Sequence, residues 1–335
     1  MRYNLMSRYM TCGLAVMISV WLASCDGNSY RKMSGAVWGT AYNITYRSGR
    51  MLDDSVRREM RSVELSLSAF CDSSVVSRVN SGELSEVDPA FAEVFAESGR
   101  VAAASGGAFD PTVWPLVDLW GFGGRKVADT PSPARIDSAL ATVGIGGCSL
   151  DGLRLVKRHP DTKFDFSAIA KGYGCDRVAA MLRRNGCRDY LVEIGGEIAA
   201  GGVSPRGGAW RVMVDAPVVS DTLVHERMAV IELPSGGGVA TSGNYRNYRE
   251  TAIGRVGHTI DPHTGYPRRS AMLSATVVAP SCMTADALAT ACMAMEPDSA
   301  MAMIRAMDGV EALLVSRDSM GGMAMAASSG FPMVQ

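Results

Sequence analysis

The chain has 335 residues, a formal net charge of -1, 20% charged residues and 47% hydrophobic ones. That length and balance suit a globular protein of one large domain or two ordinary ones, with ample core. Near-neutrality excludes nucleic acid as a main partner, because such binding is dominated by phosphate neutralisation.

The N-terminus reads as an export segment rather than part of the fold. Arg2 and Arg8 form a basic opening, and Thr11 to Trp21 is a short apolar run. The run falls below the roughly 20 residues of a spanning helix. Leu22-Ala23-Ser24-Cys25 resembles a bacterial lipoprotein lipobox. The expectation is a signal peptide over 1–24, lipid on the Cys25 thiol and a polar tether over 25–33, with the folded domain over 34–335. Several acyl chains anchor stably where one holds weakly. An uncleaved anchor and a plain secretory signal are the alternatives. On the lipidated reading the protein is exported, membrane-anchored and faces the periplasm. Setting aside Cys12 and Cys25 leaves Cys71, Cys148, Cys175, Cys187, Cys282 and Cys292, with no CxxC pair and no zinc spacing. Buried free thiols are the expectation for most of them, with one or two disulfides left open.

Ala36 to Tyr46 reads as a strand, rich in aromatic and β-branched residues. Leu52 to Leu67 has helical spacing, with Val56, Met60, Val63 and Leu67 on one stripe. Leu67 to Asn80 is turn-rich, and Pro89 to Ala104 is a second amphipathic helix. Asp110-Pro111 predicts an N-cap followed by proline at the first helical position. Phe109, Trp114, Trp120 and Phe122 beside glycines suit either a flat ring ligand or an aromatic core, the core being favoured for Trp114 and Trp120. Residues 124–150 are loop-like apart from a short helix over 132–143, and 152–159 reads as a strand.

Asp165 to Arg177 leads from a strand end into a helix closing near Asn185-Gly186. A helix start presents N–H groups to an anion, and Lys171 adds a point charge; alone this is a weak phosphate signal. Tyr190 to Gly202 is a strand, a Gly-Gly break and a second strand. Its Glu193 and Glu197 admit either acid/base work or strand-edge solvation plus a structural carboxylate. Arg211 to Asp215 and Met228 to Leu233 are strands, and Gly236 to Tyr248 reads as a glycine- and hydroxyl-rich loop. His258, Asp261 and His263 could hold a metal, but a turn at Asp261-Pro262 explains most of that pattern.

Ser274 to Ala279 is a strand, and a helix follows over 281–295 with Asp286 and Thr290 on one face. A lone carboxylate on an apolar helix is costly to bury without a partner. A hard cation shared with Thr290 is one solution. A satisfied core aspartate with a threonine bonded to its own helix is the other. Met301 to Asp308 is a helix, Ala312 to Ser316 a strand, and the stretch from Met320 a strand or tail. No strand–GxGxxG–helix fingerprint, GxxxxGK(S/T) loop, HExxH or GxSxG elbow is present.

Taken together, the segments resemble the ApbE family of FAD:protein FMN transferases. The matching stretches are Gly107 to Thr112 with Pro115 to Gly123, Ala168 to Gly172, Ile194 to Glu197, Ala240 to Tyr245, His258 to Gly265 and Ala285 to Thr290. They stand in family order across nearly the whole chain after the export segment. The resemblance implies a mixed α/β fold: one domain with a core like the tunnelling-fold (T-fold) proteins and a smaller added lobe. It implies a Mg²⁺-dependent enzyme that splits FAD, transfers the FMN phosphoryl group to a Thr or Ser hydroxyl of an acceptor flavoprotein subunit, and releases AMP. It places the metal on the Ala168 carbonyl, Asp286 and Thr290, with backbone contact at Ala289. It places FAD at Trp38, Phe70, Ala108, Phe109, Asp110, Asp165, Lys171, His258 and Ile260. His258 and Asp286 are the residues it implies for catalysis.

Four positions depart from the family pattern: Trp38 for the more usual Met, Phe70 for Tyr or Trp, and Phe166-Ser167 for Leu-Gly. An FAD pyrophosphatase giving FMN and AMP, and a flavin-binding lipoprotein without catalysis, stay open as alternatives.

Overall fold

The computed structural model describes residues 29–123, 130–217, 227–243, 248–251, 254–268, 270–318 and 320–334. The export segment, Cys25 included, lies outside them. The first pairing begins at Ser29, inside the stretch read as tether. Strand β1 (Ser29–Val37) and β2 (Thr40–Ser48) form a hairpin where one continuous strand was expected over 36–46. Trp38 and Gly39 make the turn, with φ of 51° and 75°. Left-handed backbone is unusual for a bulky residue, so β propensity on both sides masked the break.

Helix α1 (Asp53–Leu67) buries the predicted stripe of Val56, Met60, Val63 and Leu67. The turn-rich segment after it contains a further short helix, α2 (Val75–Asn80), capped by the Ser74 side chain. Helix α3 (Pro89–Ala104) starts at Asp88, whose carboxylate accepts from the Phe91 N–H. The expected cap at Asp110 fails. Helix α4 (Trp114–Leu119) begins after Val113. Asp110 instead accepts from the N–H of Thr112 at 2.8 Å and of Ile145 at 2.9 Å. Helix α5 (Pro133–Leu140) is shorter than predicted. With α4 it encloses a small core of Leu116, Trp120, Ile136 and Ile260, the minor lobe. The expected strand over 152–159 is one arm of the hairpin β3 (Cys148–Asp151) and β4 (Arg154–Lys157).

Helix α6 (Ala170–Arg184) is followed by strands β5 (Tyr190–Ile194), β6 (Glu197–Gly201), β7 (Trp210–Asp215) and β8 (Arg227–Leu233). Then come β9 (Gly238–Gly243), the short hairpin β10 (Tyr248–Thr251) and β11 (Gly254–Gly257), and β12 (Met272–Ala279). Helices α7 (Cys282–Met293) and α8 (Pro297–Arg305) precede β13 (Glu311–Arg317), β14 (Met323–Ala327) and β15 (Met333–Val334). The stretch read as a loop from Gly236 thus holds β9, a central strand. Pairing partners, not side-chain propensity, made it one.

An antiparallel eight-stranded sheet in the order β1-β2-β5-β6-β9-β12-β13-β14 forms the frame. Its middle strands are buried on both faces. Ala240, Val277 and Leu314 pack with α7 on one side, while Val239, Val278 and Leu313 pack against Trp210, Val214 and Ile231 of the three-stranded sheet β15-β8-β7 on the other. This accounts for the nearly unbroken apolar run of β12, since a strand covered on both faces has no polar side to show. Helices α6 and α7 therefore lie against the sheet with their own packed face between them.

Candidate active site

The site is built where α6 meets α7. Gly172 makes the close approach possible: a Cβ there would sit 2.3 Å from the Cys282 carbonyl oxygen and 2.8 Å from the Asp286 Cβ. With the backbones in contact, the Gly172 N–H donates to Asp286 Oδ2 at 2.9 Å. Ile169 precedes α6 without a capping side chain, so a carboxylate from the neighbouring helix supplies the missing acceptor. Asp286 is only 2% exposed. Its Oδ1 lies 3.7 Å from Lys171 Nζ, and that ammonium sits 2.8 Å from Glu197 Oε1 at the start of β6.

Lys171, Glu197 and Asp286 thus form one cluster, a single partly exposed cation between two buried carboxyl groups. Burial works against the charge on Lys171, but Asp286 and Glu197 more than offset it and hold the ammonium above its usual range. At Glu197 burial wins: it raises the carboxyl pKa against the pull of Lys171, and Asp286 raises it further. Two carboxyl groups thus share one lysine, whose partly exposed ammonium can still receive an anion. Glu197 Oε2 is buried without a hydrogen-bond partner.

The donor set fits a hard cation. Ala168 precedes the cap residue, so its carbonyl stands outside the helical ladder, and among the described residues no backbone N–H donates to it. Thr290 lies one helical turn beyond Asp286, with its Oγ1 3.3 Å from Ser242 Oγ on β9. A carboxylate, a hydroxyl and a carbonyl are the oxygen ligands Mg²⁺ takes when water and substrate phosphates complete its sphere. Ala289 is fully buried in mid-helix, where ladder geometry already engages its carbonyl with the N–H four residues on. Among the described residues no three His, Cys, Asp or Glu side chains group as a metal cluster. The His258–Asp261–His263 alternative is therefore a turn: the Asp261 side chain accepts from the His263 N–H at 2.9 Å and pairs with Arg268 at 3.1 Å.

Several of the positions assigned to FAD fall on segments that the fold ties to this cluster. Trp38 packs on α6 where Gly174 leaves room, a Cβ there falling 2.4 Å from its ring. Its indole N–H is buried and unpartnered. Asp165, three residues before Ala168, donates its N–H to the Pro111 carbonyl at 2.6 Å, which docks the Ala108–Asp110 segment beside the start of α6. Loss of hydration raises the Asp165 carboxyl, and Ser167 pulls it back. His263 Nε2 reaches the Gly106 carbonyl at 3.1 Å, so the turn after His258 joins the same segment.

Ile260 and Phe109 are buried in the core, which leaves their backbones rather than their side chains for a ligand. His258 is half-buried with its ring 6.5 Å from that of Phe122. Phe70 is 60% exposed and meets Trp114 edge-on at 5.6 Å. Trp114 is accordingly half-buried, and only Trp120 is full core.

Sequence reasoning paired Glu193 with Glu197, and the structure separates them. Glu193 accepts from Asn43 at 2.7 Å and from the Gly196 N–H at 2.9 Å, a structural role at the Gly-Gly turn. Glu197 faces the other way, into the lysine. Asp176 escaped notice although it stands one helical turn after Gly172 and so shares its face. The Cys71, Cys148, Cys175, Cys187, Cys282 and Cys292 thiols are all free.

Fold and cluster together define a mixed α/β protein whose two central helices hold a lysine between buried carboxyl groups, suited to an anion and a hard cation. The chain belongs to the ApbE family, whose model matches residues 38–314. It is 38% identical over 276 residues to an FAD:protein FMN transferase of Vibrio cholerae, covering 79% of this chain and 81% of that one. A second such transferase, from Haemophilus influenzae, is 36% identical over 290 residues, covering 82% and 83%. Among solved structures, the flavin transferase ApbE from Vibrio cholerae superposes with a TM-score of 0.80 at 35% identity, covering 91% of this chain and 98% of that one.

Proposed function

We propose that this protein transfers the FMN moiety of FAD to a Thr or Ser hydroxyl of an acceptor protein, with Mg²⁺, and releases AMP. The observation that supports the reading is the contact of Asp286 with Gly172 and Lys171 where α6 crosses α7, with Thr290 one turn further along α7 and the Ala168 carbonyl outside the helical ladder just before α6. It stands in a fold shared with flavin transferases.

Asp286, Thr290 and the Ala168 carbonyl would hold the metal. When bound, Mg²⁺ draws charge from the pyrophosphate of FAD. Lys171 offers its ammonium to the same phosphates, with Glu197 as counter-charge behind it. The acceptor oxygen forms a bond to the FMN phosphorus as the bond to the AMP oxygen breaks. The hydroxyl proton passes to His258, and AMP leaves as the phosphate. Trp38 and Phe70 give the flavin apolar faces.

Incubation with FAD, Mg²⁺ and a candidate acceptor is the test. Acceptor mass increased by one FMN supports transfer; free FMN and AMP with unmodified acceptor would make the protein a pyrophosphatase, and bound FAD without turnover a carrier.

The Cys25 lipobox supports an exported lipoprotein held at a membrane by its lipid. Among the described residues no helix is long and apolar enough to cross one. Cys25→Ser should move the protein from the membrane fraction to the soluble one, and retention in the membrane would sink the lipid anchor.

A further inference from the structure

Helices α6 and α7 cap each other. Asp286 of α7 receives the Gly172 N–H near the start of α6. In return, Asp176 of α6 receives the first two N–H groups of α7, Cys282 to Oδ1 at 3.1 Å and Met283 to Oδ2 at 2.8 Å. The third is met locally, Thr284 N–H by the Ser281 hydroxyl at 3.1 Å, and Ala285 N–H makes the first helical bond, to the Ser281 carbonyl at 3.1 Å. The open donors of residues 282–284 are therefore filled, two of them from another helix. Glu97 of α3 adds a second carboxylate at the same end, accepting from Thr284 Oγ1 at 2.6 Å while Arg100 pairs with it.

We propose that Asp176 is a positioning residue for the metal site, fixing the α7 start against α6 so that Asp286 meets the Ala168 carbonyl and Lys171 at the right separation. The inference rests on the metal reading given above. Gly172 and Asp176 lie one turn apart on α6, so their two links to α7 together oppose both sliding and rotation. Asp286 commits Oδ2 to Gly172, which leaves Oδ1 as the ligand oxygen, and its direction follows the register of the two helices. A shift of a few tenths of an ångström is enough to spoil Mg²⁺ geometry, which is near-octahedral and rigid.

Stability alone does not explain the carboxylate. Burial raises its pKa to about 6, more than the Met283 and Cys282 N–H bonds and Arg183 pull it back, with Glu93 raising it further. Ionised at neutral pH, the carboxylate carries a desolvation cost that a neutral acceptor in its place would not.

The test is Mn²⁺ binding to the FAD-free protein at pH 8 by calorimetry, alongside thermal melting. Asp176→Ala should weaken Mn²⁺ binding by at least about tenfold, as loss of a group that orients a ligand does. Ile231→Ala, a core truncation in the three-stranded sheet, lowers Tm as well but should leave Mn²⁺ affinity within about twofold, since distant sites act independently. Asp176→Asn keeps one acceptor oxygen and buries no charge. It should hold the wild-type Tm yet bind Mn²⁺ at least about threefold more weakly, the loss of one hydrogen bond.

Affinity that follows Tm across all three variants, or wild-type affinity in both Asp176 variants, overturns the proposal. A wild-type protein that binds no Mn²⁺ sinks the metal reading and this inference with it. Wild-type binding with unaffected Asp176 variants sinks the inference alone.

Discussion

The two halves of the proposed site are built on opposite principles. At the α6–α7 crossing, backbones touch, Asp286 and Glu197 are almost fully buried, and each charged group is held by another element. On the side of Phe70 and His258 the groups stand at the surface or half-exposed, on loops and a turn. Phosphate chemistry needs charges fixed before the substrate arrives, because dipoles and ions already in place cost no reorganisation during reaction. A ring that must enter, and an acceptor protein that must come and go, need an open edge. The rigid half sits on long elements of the main core and the open half on connecting segments.

Substitutions should separate the halves. The largest effect is expected at Asp286→Ala, which should cut Mg²⁺-dependent turnover by on the order of 10²–10³-fold while FAD still binds. Unchanged turnover would falsify the metal assignment. Gly172→Ala should act next, through packing rather than charge. Its Cβ meets the Cys282 carbonyl at 2.3 Å, so the helices must part, at about 1–3 kcal/mol of stability read from denaturant melts. A neutral outcome there would mean that the helix contact is not rigid.

Phe70→Ala tests the open half. Stability should change by less than about 0.5 kcal/mol, as for other exposed positions. KM for FAD should rise roughly fivefold to tenfold from a lost ring contact, with kcat nearly kept. A fall in kcat with unaltered KM would place Phe70 outside the flavin site.

The smallest effect is a pH dependence within the rigid half. Asp176 has a folded-state pKa near 6, above the ordinary value of 3.8. Its protonated form is therefore favoured by folding, and its contribution to stability is present below about pH 4 and lost as pH rises through 6. Between those limits wild-type stability should decline relative to Asp176→Asn. A parallel pair of stability curves would show that burial does not perturb this carboxyl.

Local pattern went far where structure depends on neighbours in sequence. The α1 stripe, the α3 boundaries, the strand–Gly-Gly–strand of β5 and β6, and the pairing of Asp286 with Thr290 on one helix face were all legible, because helix and strand periods are properties of the chain itself. The β1–β2 break at Trp38 was not legible, since its cause is a packing site on α6 that lies more than a hundred residues away. Strand β9 read as a loop for the same kind of reason: its glycines and hydroxyls make a strand only between β6 and β12.

The site divides along the same line. From the sequence alone came a carboxylate and a hydroxyl with the spacing for a cation, a lysine at a helix start, and a set of segments in the order of the ApbE family. Only the tertiary structure decided that Lys171 pairs with Glu197, that Glu193 turns away from it, and that Asp176 and Asp286 each cap the other's helix. Helix period fixes which residues share a face. Which face meets which, and at what distance, is set by the close approach at Gly172 and by the cost of leaving a buried N–H or carboxylate without a partner.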